Sequence, residues 1–214
     1  GETGVDGIEL NFYQVPWDFN KKSGQIEIEQ IDIVRKIKQN ISIPVSVKLS
    51  PDYTNILNLI KEMDTIGVDA FVLFNSFFQP DIDIMKEKHV KSFNFSKKGD
   101  SKKSLRFSGL LYDNIKADIC SSCGIFSGED VIKSILSGSS CVQVVSTVYK
   151  HGIKQIDSIK KELEEWMDRK NYNSMDEFKG KLSSNKLANS SLVYKRAQYV
   201  DLLINSENIF GDLQ

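Results

Sequence analysis

Only three cysteines occur among the 214 residues, together with two histidines, four prolines and two tryptophans. An odd, low cysteine count argues against a disulfide framework and suits a reducing compartment. His89 and His151 have no partner at ligand spacing, so no metal centre is expected. A surplus of one charge sign is also missing: 28 Lys+Arg stand against 29 Asp+Glu, a formal net charge of −1. That balance argues against a dedicated binder of nucleic acid. No apolar run approaches the roughly 18 residues that span a bilayer. Gly1 to Gly7 carries neither the basic nor the apolar region of a secretion signal. The expectation is a soluble, cytoplasmic protein without a membrane partner.

Apolar material is nonetheless ample, at 40% hydrophobic residues with 12 Phe and 7 Tyr, enough for one core of ordinary size. The chain opens on Gly1 rather than Met, and a turn signal at Thr3 to Gly7 leads straight into an apolar run. Further chain is therefore expected upstream.

Ile8 to Tyr13 alternates apolar and polar residues with the period of a strand. Ile28, Ile31, Val34 and Ile37 then recur at helical spacing and stop before Ser42-Ile43-Pro44. Val45 to Ser50 reads as a second strand, Asn55 to Met63 as a second helix ended by Gly67, and Ala70 to Ser76 as a third strand. An inserted excursion follows at 77–104, with short strands and a basic run, Lys97 to Lys103, read as a solvated mobile loop. Leu105 to Asn114 is helical, Ala117 to Cys120 a strand, Glu129 to Leu136 a helix capped by Ser127, and Cys141 to Val145 the last strand. The helix after it carries Ile153, Ile156, Ile159, Leu163, Trp166 and Met167 on one face. The tail from Asn171 holds one more helix near Leu192 to Leu203 and little else.

Strands alternating with helices at about 25 to 40 residues per unit indicate βα repeats around a parallel sheet. The candidates are an open doubly wound sheet and a (β/α)8 TIM barrel. A whole barrel takes about 250 residues and eight units, so these roughly five strands would be its later part. Residues 1–170 would form the partial barrel and 171–214 a C-terminal helical extension.

Each strand carries a polar residue at or just past its C-terminal end: Asn11, Lys48, Asn75, Ser121 with Ser122, and Ser146. Such positions converge on the rim where barrel active sites are built. Lys48 interrupts an apolar strand, so it must snorkel, meet an anion or pair with a carboxylate. The turn Ser122-Cys123-Gly124 and the junction Ser146-Thr147 each precede a helix and present backbone N–H groups suited to phosphate. Cys120 and Cys123 have CxxC spacing, but without a second pair or a histidine they read as two buried thiols.

At these same positions the sequence resembles the dihydroorotate dehydrogenase family of flavin-dependent (β/α)8 barrels. The matching stretches are Glu9-Leu10-Asn11, Pro44 to Pro51, Asn75-Ser76, Cys123-Gly124-Ile125, Gly128-Glu129-Asp130 and Gly138 to Gly152, in order from Val5 to Leu182. The resemblance implies an FMN-dependent oxidoreductase of pyrimidine biosynthesis acting on a dihydroorotate-like small molecule. It implies that Asn11 touches both FMN and substrate, and that Lys48 approaches the flavin. Asn75 and Ser76 would hold the substrate, while Cys123, Gly124, Val145 and Ser146 cradle the FMN phosphate.

Two departures accompany it. Where the family carries a Cys or Ser base, this chain reads Phe12-Tyr13-Gln14-Val15-Pro16. Gln14 cannot take a proton, which leaves Tyr13, with an ordinary pKa near 10. The family's paired glycine has become Cys123-Gly124. Two further readings stay open: a barrel-derived binding protein without catalysis, and a flavin-free phosphate-binding barrel enzyme. Exposed strand edges would also favour a homo-oligomer.

Overall fold

Val45, Val47 and Leu49 alternate with Ser46 and Lys48, and this alternation sorts the two faces of a central strand. In the computed structural model, which describes residues 4–76, 78–91, 94–187 and 194, that strand is β2 (Val45–Leu49). Its neighbours are β1 (Ile8–Asn11) and β3 (Ala70–Leu73), followed by β6 (Asp118–Ser122) and β7 (Cys141–Gln143). All neighbours pair in parallel, and their order β1-β2-β3-β6-β7 follows the chain. A doubly wound sheet reverses its order at a switch point. This one never reverses, as in a barrel wall, and so the barrel reading is the one that holds.

The helices take up the face that Val47, Leu49, Phe71, Leu73 and Ile119 present. These side chains are buried with Val34 of α1 (Ser23–Asn40) and with Ile56, Leu59, Ile60 and Met63 of α2 (Ile56–Ile66). Asn55 caps α2, its side chain accepting the Asn58 N–H at 3.2 Å, and Gly67 ends the helix at φ +96°. A second core lies under α4 (Gly128–Ser137) and α6 (Gln155–Lys170), where Ile125, Val131, Ile135, Ile159 and Phe178 are buried. Ser127 caps α4 reciprocally with Asp130.

Between β6 and α3 (Ser101–Leu111) the contact is made by hydroxyls. Ser121 Oγ lies 2.7 Å from both Ser104 and Ser139, and Ser139 donates to Ser108 at 3.0 Å. All four are buried. Ser121 therefore faces the helices and leaves the rim, because strand alternation sends Ser122 to the other side. Its placement among the rim residues is corrected.

Several boundaries shift. The strands stop at Asn11, Leu73 and Gln143 instead of Tyr13, Ser76 and Val145, and β6 runs from Asp118 to Ser122. α3 begins at Ser101, so Lys102 and Lys103 belong to a helix and not to a solvated loop. The excursion does hold a short hairpin, β4 (Asp81–Asp83) and β5 (Lys88–Val90). The last large helix is two: α5 (Ser146–His151) and α6, with Ile153 exposed in the link between them because Gly152, at φ +80°, closes α5. The expected helix at Leu192 to Leu203 lies outside the described residues, apart from Tyr194.

The described part of the tail before it is packed on α3, α4 and α6. Phe178 is fully buried, its ring 5.0 Å from Trp166 and 5.2 Å from Tyr172. Gly180 N–H donates to Ile135 O, Leu182 N–H to Leu136 O, and Ser184 N–H to Gly109 O. Leu136 O and Gly109 O lie at the C-terminal ends of α4 and α3, where a helix leaves carbonyls open, while Ile135 O also takes the Gly138 N–H at 3.0 Å. Gly180 is required here: its φ is +70°, and a Cβ would lie 2.1 Å from the Tyr112 ring.

Candidate functional site

The face of the sheet turned away from the helices carries Val72 of β3 and, on three other strands, polar side chains. β1 contributes Glu9, β2 Lys48, and β7 Gln143. Lys48 Nζ donates to Gln143 Oε1 at 2.8 Å and stands 3.8 Å from Glu9, while Gln143 Nε2 donates to Glu9 Oε2 at 2.7 Å. β1 and β7 are the two edges of the five-stranded sheet. Side chains meeting from both edges require a strongly curved sheet whose concave face carries this strap. Lys48 thus has a carboxylate at hand, but its shorter contact is to an amide.

Beside the strap, at the C-terminal ends of the strands, lies a cavity of about 300 Å³. Lys48, Asn75, Ser76, Cys123, Gly124, Val145 and Ser146 all line it, so seven of the nine nominated residues are brought together. Asn75 is held by its backbone, which donates to Leu49 O at 2.8 Å, and by its side-chain amide, which donates to Phe12 O at 3.1 Å. Asn11 is the register partner of Lys48, but it is exposed and does not line the cavity. Tyr13 is likewise outside the lining; its hydroxyl accepts the Phe78 N–H at 2.7 Å.

The turn after β6 is left-handed at two successive residues, with φ +69° at both Cys123 and Gly124. A side chain at the first position costs energy that glycine would avoid. The thiol recovers a contact, donating to Phe74 O at 3.3 Å, and burial pushes its pKa up. Cys123 is therefore a poor proton acceptor at neutral pH. Gly124 allows the turn to press on the start of α3: a Cβ there would sit 2.5 Å from Ser101 N and 2.9 Å from Asp100 N.

Residues missed by sequence reasoning complete the walls. Gln143 carried a usable signal, since like Lys48 it interrupts an apolar strand. Phe95 and Ser96 carried none, because the excursion folds back over the cavity through tertiary contacts. Ser96 N–H donates to Ser146 Oγ at 2.9 Å, Lys150 Nζ donates to Ser96 O at 3.0 Å, and the Phe95 ring stacks 5.5 Å from Tyr149. Thr147, next along from Ser146, buries its hydroxyl without a hydrogen-bond partner. Among the described residues no group of three or more His, Cys, Asp or Glu could hold a metal ion, and no helix is long and apolar enough to cross a membrane.

A family model described as dihydroorotate dehydrogenase matches residues 15–167. The chain belongs to the dihydroorotate dehydrogenase family. It is similar to the catalytic subunit of dihydroorotate dehydrogenase B (NAD(+)) from Methanocaldococcus jannaschii, 34% identical over 155 residues, covering 69% of this chain and 50% of that protein. The corresponding subunit from Thermoplasma volcanium is 31% identical over 186 residues, covering 84% of this chain and 60% of that protein. A fumarate-type dihydroorotate dehydrogenase from Lachancea kluyveri is 41% identical over 61 residues, or 28% of this chain and 19% of that protein. The chain thus spans about half to three fifths of the length of the first two relatives. Dihydroorotate dehydrogenases are (β/α)8 barrels, and the unreversed parallel sheet is part of such a wall.

Proposed function

We propose that this chain forms the flavin-mononucleotide half of the active site of an oxidoreductase that converts dihydroorotate to orotate. The carrying observation is the cavity itself, where one lysine, hydroxyl and amide side chains that include Asn75, Ser76, Ser122, Gln143 and Ser146, and a left-handed backbone turn surround a space walled by Phe74, Phe78, Phe95 and Tyr149. At about 300 Å³ it matches the lower range of small-molecule sites, roughly 300–1,000 Å³. Its donor set fits the group. Lys48 supplies a cation, the aromatic walls suit a flat ring system, and the Cys123-Gly124 turn with Ser146 suits a phosphate.

Flavin mononucleotide supplies the electron acceptor when bound. The chain's own residues position and polarise. Lys48, held by Gln143 and Glu9, would supply an N–H to the bound group, and Asn75, anchored on Phe12 O, presents a fixed amide at the strand end. Water is held off on one side by the returning Phe95-Ser96 segment.

The test is an absorbance titration of the full-length protein with flavin mononucleotide, followed by turnover with dihydroorotate and an electron acceptor. Flavin bands and turnover are expected. A folded protein with no flavin uptake overturns the reading. A second reading, a flavin-binding protein without catalysis, is favoured by Gln14 at the place of the family's base and by the engagement of the Tyr13 hydroxyl with Phe78 N–H. Flavin uptake without turnover would select it.

A further inference from the structure

The strap across the concave face joins three side chains with unequal places. Lys48 and Gln143 line the cavity, and Glu9 does not. Glu9 Oε2 accepts from Gln143 Nε2 at 2.7 Å, and Gln143 Oε1 accepts from Lys48 Nζ at 2.8 Å. Glu9 Oε1 stands 3.8 Å from Lys48 Nζ, too far for a hydrogen bond but near enough for the two charges to act on each other. These contacts run from side chain to side chain across the inside of the wall and need no access from solvent.

An amide can turn end for end, so its neighbours decide which end faces which way. A carboxylate offers only acceptors and an ammonium only donors. Glu9 therefore takes the Nε2 end of Gln143 and leaves Oε1 to Lys48, and the two demands agree. With an amide in place of Glu9, either end of Gln143 could face it, and the Nε2 end turned toward Lys48 would set donor against donor. Glu9 thus acts on Lys48 twice. Through Gln143 it fixes where the ammonium stands, and through space it offsets part of the ammonium's charge.

We propose that Glu9 is a positioning residue of the cofactor site, which holds Lys48 at the cavity wall by way of Gln143 and, as its counter-charge, makes a bound flavin harder to reduce. The inference rests on the flavin reading of the cavity. Reduction builds negative charge on a flavin ring, and charged groups nearby set how easily that happens. Lys48 favours the reduced form and Glu9 opposes it. Glu9 touches neither cofactor nor substrate in this scheme, and both of its effects pass through the Lys48 ammonium or act on the same charge.

The test measures flavin mononucleotide affinity by absorbance titration and the potential of the bound flavin by equilibration with a reference dye, on the full-length protein, with folding followed by circular dichroism. Glu9→Gln should weaken binding about 3- to 10-fold, as the loss of one ordinary hydrogen bond does. It should also lower the oxidised-to-reduced ratio at a fixed dye potential by at least about threefold, because a negative charge is gone. Glu9→Asp keeps the charge but draws it back by one methylene, so affinity should fall likewise while the potential stays near that of the parent. In a Lys48→Ala background, Glu9→Gln should change affinity less than about twofold, since its effect on binding runs through Lys48. Glu129→Gln removes the same charge from the exposed surface of α4 and should alter neither quantity. Parent-like affinity and potential in Glu9→Gln, or an undiminished loss of affinity without Lys48, would overturn the inference and leave the flavin reading intact. If Glu9→Gln does not fold, parent-like affinity in Glu9→Asp overturns it equally. A folded parent protein that takes up no flavin overturns both.

Discussion

On its convex side the sheet offers Val47, Leu49, Phe71, Leu73 and Ile119 to two layers of helix side chains, and on its concave side Glu9, Lys48, Cys120, Cys141 and Gln143. The same strands supply both sets, one residue apart. The convex set is apolar and its partners are local helices, so it answers for stability. The concave set is largely polar and joined from edge to edge, so it answers for binding. A substitution that moves one property should leave the other nearly untouched.

The sharpest break is Phe71→Ala. Phe71 is fully buried beneath the helices, and the variant should lose about 3–5 kcal/mol of stability in urea unfolding. Lys48→Ala reverses the pattern: flavin affinity should fall about 10- to 100-fold by titration, since a charged hydrogen-bond donor is lost. Lys98→Ala, outside the cavity lining, is the control and should change affinity less than about twofold. Equal effects would remove Lys48 from the site.

Ser121→Ala tests the serine seam between β6 and α3. It leaves Ser104 and Ser139 without their shared partner and should cost about 1–3 kcal/mol, with flavin affinity unchanged. Asp69→Asn should show the smallest effect, within about 1 kcal/mol. Its carboxylate is held below the ordinary range by a hydrogen bond from Lys38, then by the Val45 N–H. A depressed folded pKa stabilises above the unfolded carboxylate value, and the benefit is lost as pH falls through the folded value. The gap between variant and parent should therefore close in acid.

Much of this contrast was legible in the chain. Period-two alternation gave Val45 to Leu49 its two faces, and Lys48 betrayed the polar side by interrupting an apolar strand. Ser127 and Gly67 announced their helix ends because capping is local chemistry. What was hidden is non-local. Ser121 looked like a rim residue until α3 supplied Ser104, and Asn11 dropped out of the cavity lining although its neighbour Lys48 stayed. Phe95 and Ser96 reach the cavity only because Ser146 and Lys150, some fifty residues on, hold the excursion back. Strand ends ran shorter than the apolar runs because a strand ends where its partner does.

The segment from Gly180 to Ser184 has a consequence for biosynthesis. Two of its N–H groups close the open carbonyls of Leu136 and Gly109, and a third adds to Ile135, on helices completed some forty to seventy-five residues earlier in the chain. On a ribosome that releases the chain from its N-terminus at about 5–20 residues per second, α3 and α4 emerge several seconds before the strand of chain that seals them. During that interval their last turns are exposed to water and to chaperones. A nascent chain stalled before Gly180 would present two helices with unfinished ends.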